Sequence, residues 1–149
     1  MKNILFTSLL AIVFLISVNA CKSVENTSQE VNISTLENNL KDTWELQWTS
    51  EFEVDKASFP IENPVLEINP ADSTFKGSTG CNQLGGLFES EMVDGFKVVF
   101  VRTTKKACPG VKEAEYLALL NRVTMYKRES LELTLLEGTV PLLRYKIAK

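Results

Sequence analysis

From Thr43 onward short stretches with apolar residues at every second position recur between turns, and one longer segment follows a helical period instead. Alternation of period two fits strands with one buried face, because successive side chains point to opposite sides of a sheet. Thr43-Trp-Glu-Leu-Gln-Trp-Thr sets Trp44, Leu46 and Trp48 on one side. Val65-Leu-Glu-Ile-Asn and Ser73-Thr-Phe-Lys-Gly are shorter strands on either side of the turn-forming Pro70-Ala-Asp. Residues 84–90 and 96–101 flank Asp94-Gly95, and residues 131–136 and 140–147 flank Glu137-Gly138. Such dipeptides suit a type I′ hairpin, whose two central residues take positive φ. Trp44, Trp48, Phe88, Phe96 and Phe100 fall at strand spacing and are expected in the core.

The interruption runs from Lys112 to Tyr126, where Tyr116, Leu119, Leu120, Val123 and Tyr126 form a helical stripe. Pro109-Gly110 precedes it, Glu113 and Glu115 lie in its first turns, and Lys127-Arg128 follow it. That charge order complements the helix dipole at both ends. A helix with one apolar face needs a sheet to pack on. The expected fold is therefore α+β: a small, mostly antiparallel, curved and barrel-like sheet packed on one α-helix, over residues 42–149.

Composition narrows the chemistry. The 149 residues contain no histidine, which removes Ser-His-Asp triads, Cys-His dyads and His-ligated zinc. A net charge of -3 without a run of Lys and Arg argues against a nucleic-acid partner.

The N-terminus reads as an export address. Lys2 precedes an apolar run from Ile4 to Val18 that ends in Val18-Asn19-Ala20-Cys21. This is the order of a secretory signal peptide, and the run is short for a permanent membrane span. Val18-Asn19-Ala20-Cys21 resembles the bacterial lipobox, which implies acylation of Cys21, removal of residues 1–20 and attachment to the membrane through lipid. Lys22 after the cysteine implies the outer membrane, facing the periplasm or exposed at the surface. Residues 21–41, rich in Ser, Asn, Thr and Glu, are expected to form a flexible tether, with a short helix near Ile33 to Leu40.

The order Trp44-Glu-Leu, Pro64-Val-Leu-Glu-Ile, Phe75-Lys-Gly-Ser-Thr-Gly-Cys-Asn, Gly85-Gly86, Thr103-Thr-Lys-Lys-Ala-Cys108, Glu115-Tyr-Leu and Leu131-Glu-Leu resembles the META domain, the HslJ-like family of bacterial envelope proteins. Gly80-Cys81-Asn82 and Thr103-x-x-x-Ala-Cys108 are its most specific pieces, and the loop from Ser50 to Asn63 is long. The resemblance implies a compact β fold with one helix and a general link to envelope stress and drug tolerance. It brings no catalytic residues.

Cys81 and Cys108 are the main candidates for chemistry. With Cys21 consumed by lipid, two cysteines remain in an exported chain, the number needed for one disulfide. The alternatives are two buried free thiols, or a reactive thiol with its pKa lowered by Lys105 and Lys106. The glycines of GSTGCNQLGG lack the order of a phosphate-cradling loop and read as sites of bulges or close backbone approach. Gly80 and Asn82 read as turn residues, Asn82 binding nearby backbone. Glu89, Glu91 and Asp94 read as a solvated face rather than a metal site. Arg102, Lys105, Lys106 and Lys112 form a possible patch for an anionic partner.

The resulting expectation is a lipid-anchored envelope domain that binds a protein partner rather than catalyses, without a cofactor, in envelope maintenance or stress tolerance. One alternative is an inhibitor that caps an external hydrolase such as lysozyme. Another is an enzyme or redox carrier using Cys81 or Cys108.

Overall fold

A computed structural model describes residues 40–149; the expected signal peptide, Cys21 and nearly all of the expected tether, with its short helix, lie outside the described residues. Eight strands form a single sheet: β1 (Thr43–Thr49), β2 (Val65–Asn69), β3 (Thr74–Ser78), β4 (Gln83–Glu89), β5 (Lys97–Thr103), β6 (Met125–Glu129), β7 (Glu132–Glu137) and β8 (Val140–Ile147). Helix α1 (Glu113–Asn121) connects β5 to β6. The spatial order is β5-β4-β3-β2-β1-β8-β7-β6, antiparallel at every pairing. Two meanders thus join where the first strand meets the last.

The sheet curves until its two edges touch, but it does not close into a barrel. Gly95 bridges Met125, and Phe96 N, Val98 N and Tyr126 N donate to Thr124 O, Val123 O and Asp94 O at 3.0, 3.2 and 2.9 Å. Beyond that corner β5 and β6 share no ladder among the described residues. Helix α1 packs against β5 and β8 instead, burying Tyr116, Leu119 and Leu120. Each such side chain contributes roughly 1.5–3 kcal/mol relative to exposure.

The helix is shorter than its apolar stripe. It ends with Arg122 N and Val123 N bonded to Leu119 O and Leu120 O, and Thr124 N then bonds Leu136 O of β7 at 2.8 Å. Val123 and Tyr126 are buried as the stripe requires, but from a turn and from β6. Lys127 and Arg128 are strand residues, so the last helical turn has no basic residue. Ladder pairing with β7 outweighs helix continuation through the β-branched Val123-Thr124.

The two hairpins also differ from expectation. Residues 90–96 separate β4 from β5, and neither Asp94 nor Gly95 has positive φ, because Gly95 is committed to Met125. Glu137 pairs with Val140, so the second turn is Gly138-Thr139, with φ 58° at Gly138 alone. Glycine in the first central position fits type II′ rather than I′.

Two register shifts expel two aromatic residues. A shift between Leu46 and Trp48 leaves Trp48 38% exposed, under the Arg144 guanidinium at 4.6 Å, while Thr49 takes the inward position. A shift between Leu87 and Phe88 leaves Phe100 50% exposed, opposite Leu87. A bulge adds one residue to one strand and reverses the facing of those beyond it. Trp44, Phe88 and Phe96 are in the core as expected, and Phe88 and Phe96 stack at 4.3 Å.

Leu40, the first described residue, is fully buried, and its carbonyl accepts the Trp44 indole N–H at 3.0 Å. The long loop is ordered by Asp55, which accepts the N–H groups of Ser58 (2.8 Å) and Ala57 (3.0 Å). Those bonds, Ser58 first, hold its carboxyl below the usual range. They present Phe59 to the core, where it is fully buried beside Phe52.

Candidate functional site

The loop between β3 and β4 carries Thr79-Gly80-Cys81-Asn82 and meets the segment between β5 and α1. Cys81 and Cys108 are joined in a disulfide with their Cα atoms 6.1 Å apart. Beside it Asn82, 2% exposed, uses every polar atom of its side chain. Its Oδ1 accepts from Lys106 N at 2.7 Å and Thr104 Oγ1 at 2.8 Å. Its Nδ2 donates to Glu113 Oε2 at 2.9 Å and Lys106 O at 3.2 Å, with the Cys81 sulfur at 3.3 Å. Thr79 Oγ1 donates to the other Glu113 oxygen at 2.6 Å and accepts from Asn82 N at 2.9 Å.

Glu113 opens α1 without a side-chain cap on Lys112, so its carboxylate sits at the positive end of the helix while binding both loop residues. Asn82 therefore does more than shape a local turn. It clasps a segment more than twenty residues away and the start of the helix. Gly80 makes this possible: its φ is 86°, and a Cβ there would lie 2.7 Å from the Phe59 ring and 2.8 Å from Glu62 O. At Gly86 a Cβ would overlap the Phe75 ring and the Phe100 carbonyl. Close approach is thus the role of these glycines.

Other candidates disperse. Glu89 pairs with Lys97 at 3.4 Å, and no three His, Cys, Asp or Glu side chains converge on a metal-sized site among the described residues. Lys112 lies over the Phe52 ring at 4.9 Å. Lys105 and Lys106 line a hollow of about 400 Å³ with Asn82 and Glu113. Arg102 lines a different and larger groove. The Tyr116 and Tyr145 hydroxyls meet at 3.2 Å in the core, where burial pushes both phenols up, so both stay protonated at neutral pH.

The larger groove, about 1180 Å³, runs across the outer face of β2 to β5. Cross-strand partners share a face of a sheet, so the register assigns its floor. One row reads Thr43, Glu67, Lys76, Gly85, Arg102, and the next reads Asn69, Thr74, Leu87, Phe100. Glu67 and Lys76 pair at 3.0 Å. Leu87 and Phe100 stand exposed side by side. In the sequence this surface was marked by Arg102, one of the four residues of the expected anionic-partner patch, and by the unalternating Lys97-Val-Val-Phe-Val at the bulge that turns Phe100 outward.

Comparison with known proteins places this fold. A DUF4847 family protein from Bacteroides vulgatus superposes with a TM-score of 0.55 at 18% identity, covering 76% of this chain and 98% of that one. A protein from Burkholderia xenovorans superposes with a TM-score of 0.58 at 16% identity, covering 89% and 99%. At such identities the likeness is one of fold. No curated protein matches the chain. The META domain family matches residues 35–148, which takes in Gly80-Cys81-Asn82, both bonded cysteines and the clasp they build. By that match the chain belongs to the META domain family.

Proposed function

We propose that this META domain is a lipid-anchored module of the bacterial envelope that binds rather than catalyses, tethered through Cys21. The observation that carries the reading is the clasp. Cys81, Asn82, Thr79, Thr104 and Glu113, the polar and sulfur groups nearest the family motif, are spent on one another. What the domain offers to other molecules is instead an open groove with exposed Leu87 and Phe100. Among the described residues no helix is long and apolar enough to cross a membrane, and the sequence ending in Cys21 supplies the anchor in this reading.

The test compares the chain with its Cys21→Ser form in cells, using a clickable palmitate analogue, membrane fractionation and crosslinking. The expected result is label and membrane retention in the parent alone, with an envelope protein crosslinked only to the anchored form. Equal labelling of both forms would overturn the anchor. A panel of lysozymes and proteases inhibited by the Cys21→Ser protein would replace the accessory reading with an inhibitor.

A further inference from the structure

We propose that the groove on the outer face of β2 to β5 binds a free single-chain amphiphilic carboxylate, its head over Gly85 beside Arg102 and its tail along Leu87 and Phe100. The inference rests on the reading of the domain as a binding module and names the class of ligand.

The chain has four arginines, and three are occupied. Arg122 pairs with Glu51 and Glu137 at 2.7 and 2.8 Å, Arg128 with Asp42 at 2.9 Å, and Arg144 lies over Trp48. Arg102 has no ion pair or hydrogen bond from its side chain among the described residues, yet it lines the groove of about 1180 Å³. Its neighbour across the ladder is Gly85, and its Nε lies 3.4 Å from where a Cβ on Gly85 would stand. The guanidinium therefore lies beside a notch that any larger residue would fill. On the far side of the notch is Lys76, two strands away, or roughly 10 Å at the usual strand spacing. Its exposed pair with Glu67 is the kind that contributes little to stability and is readily exchanged.

Charge favours an anion with a single carboxylate head. Of the groove's ionic side chains, Asp42 pairs with Arg128 and Glu67 with Lys76, Asp72 accepts from Thr74, and Lys41 also lines the groove. One carboxylate matches the fork of the Arg102 guanidinium. The adjacent row, two residues along each strand and so about 7 Å away, exposes Leu87 and Phe100 as an apolar rail for a short tail.

The test titrates octanoate, acetate and 1-octanol into the chain from residue 21 onward carrying Cys21→Ser, followed by amide NMR. Octanoate should bind saturably at about 1 mM or tighter. Shifts should centre on residues 74–76, 84–87 and 100–102. Arg102→Gln and Gly85→Val should each weaken binding by about tenfold or more, with thermal unfolding unchanged. Equal binding of acetate or of 1-octanol would overturn the proposal, as would octanoate binding indifferent to both substitutions. So would association with phosphatidylglycerol vesicles without octanoate binding, since that assigns the surface to lipid headgroups. A protein partner crosslinked to the anchored form and indifferent to Arg102→Gln, with no octanoate binding, removes the groove ligand and keeps the binding module.

Discussion

The clasp and the groove share one short stretch of chain, residues 79–87, and differ in what they leave unsatisfied. In the clasp, Thr79 and Asn82 bond the carboxylate that opens α1, Asn82 also bonds the chain before the helix, and the adjoining disulfide closes the same gap. A few residues on, Gly85 lies at the floor of an open face with a guanidinium unpaired among the described residues and two exposed apolar side chains. Neighbouring glycines show the contrast at its sharpest. Gly86 turns inward against Phe75 and the Phe100 carbonyl, whereas Gly85 turns outward with only the far end of a flexible arginine near it. The most specific family residues, Gly80-Cys81-Asn82, hold the fold together, whereas the surface with spare bonding capacity is made of strand positions, Lys76, Gly85 and Arg102 among them.

Substitutions can break that contrast in graded steps. Gly86→Ala is expected to have the largest effect, about 4 kcal/mol or loss of folding, because its Cβ meets backbone as well as a core ring. Urea unfolding reads this directly, and a loss under about 1 kcal/mol would show that the sheet relaxes freely there. Replacing both Cys81 and Cys108 by Ser removes a cross-link over 27 residues and should cost about 3.5 kcal/mol in the chain-entropy account. The unfolding midpoint of the double variant under non-reducing conditions checks it.

Asn82→Ala leaves Lys106 N and the Glu113 carboxylate short of partners and should cost about 2–3 kcal/mol. Faster amide exchange should follow at Lys106 and at the start of α1, and exchange unchanged there would mean that the clasp does not hold the helix. The tyrosine pair predicts a pH dependence away from both regions. Both phenols have folded pKa values raised above the ordinary 10.0, so the folded state holds their protons more tightly than the unfolded chain. Their contribution is fully present below about pH 10 and is lost as pH rises beyond it. Thermal unfolding from neutral to alkaline pH should show the decline, and Tyr116→Phe should flatten it. Gly85→Ala should have the smallest effect, within about 0.5 kcal/mol, while moving the Arg102 side-chain resonances. A large loss of stability there would erase the distinction between the two glycines.

Much of the fold was legible because period-two alternation has a direct physical meaning. Trp44, Leu66, Phe75 and Phe88 are buried as their spacing requires. The errors fall where the period slips. Trp48 and Phe100 lie beyond register shifts, and a one-residue slip reverses every facing after it. Tyr126 was read as the end of the helical stripe, and pairing with β7 makes it a strand residue instead. Phe59 lies in a loop with no period, so its burial depended on the Asp55 turn and on space left by Gly80.

By itself the sequence determined the class of fold and the family, because these depend on local patterning and on short motifs, and it named Cys81 and Cys108 as candidates for a bond that the fold then made. Tertiary structure alone decided that Asn82 joins Glu113 across 31 residues and that Arg102 lies beside a glycine notch with no partner among the described residues. Such facts depend on which strands become neighbours and in what register. Register is settled by burial of the whole sheet and not by any short stretch of chain.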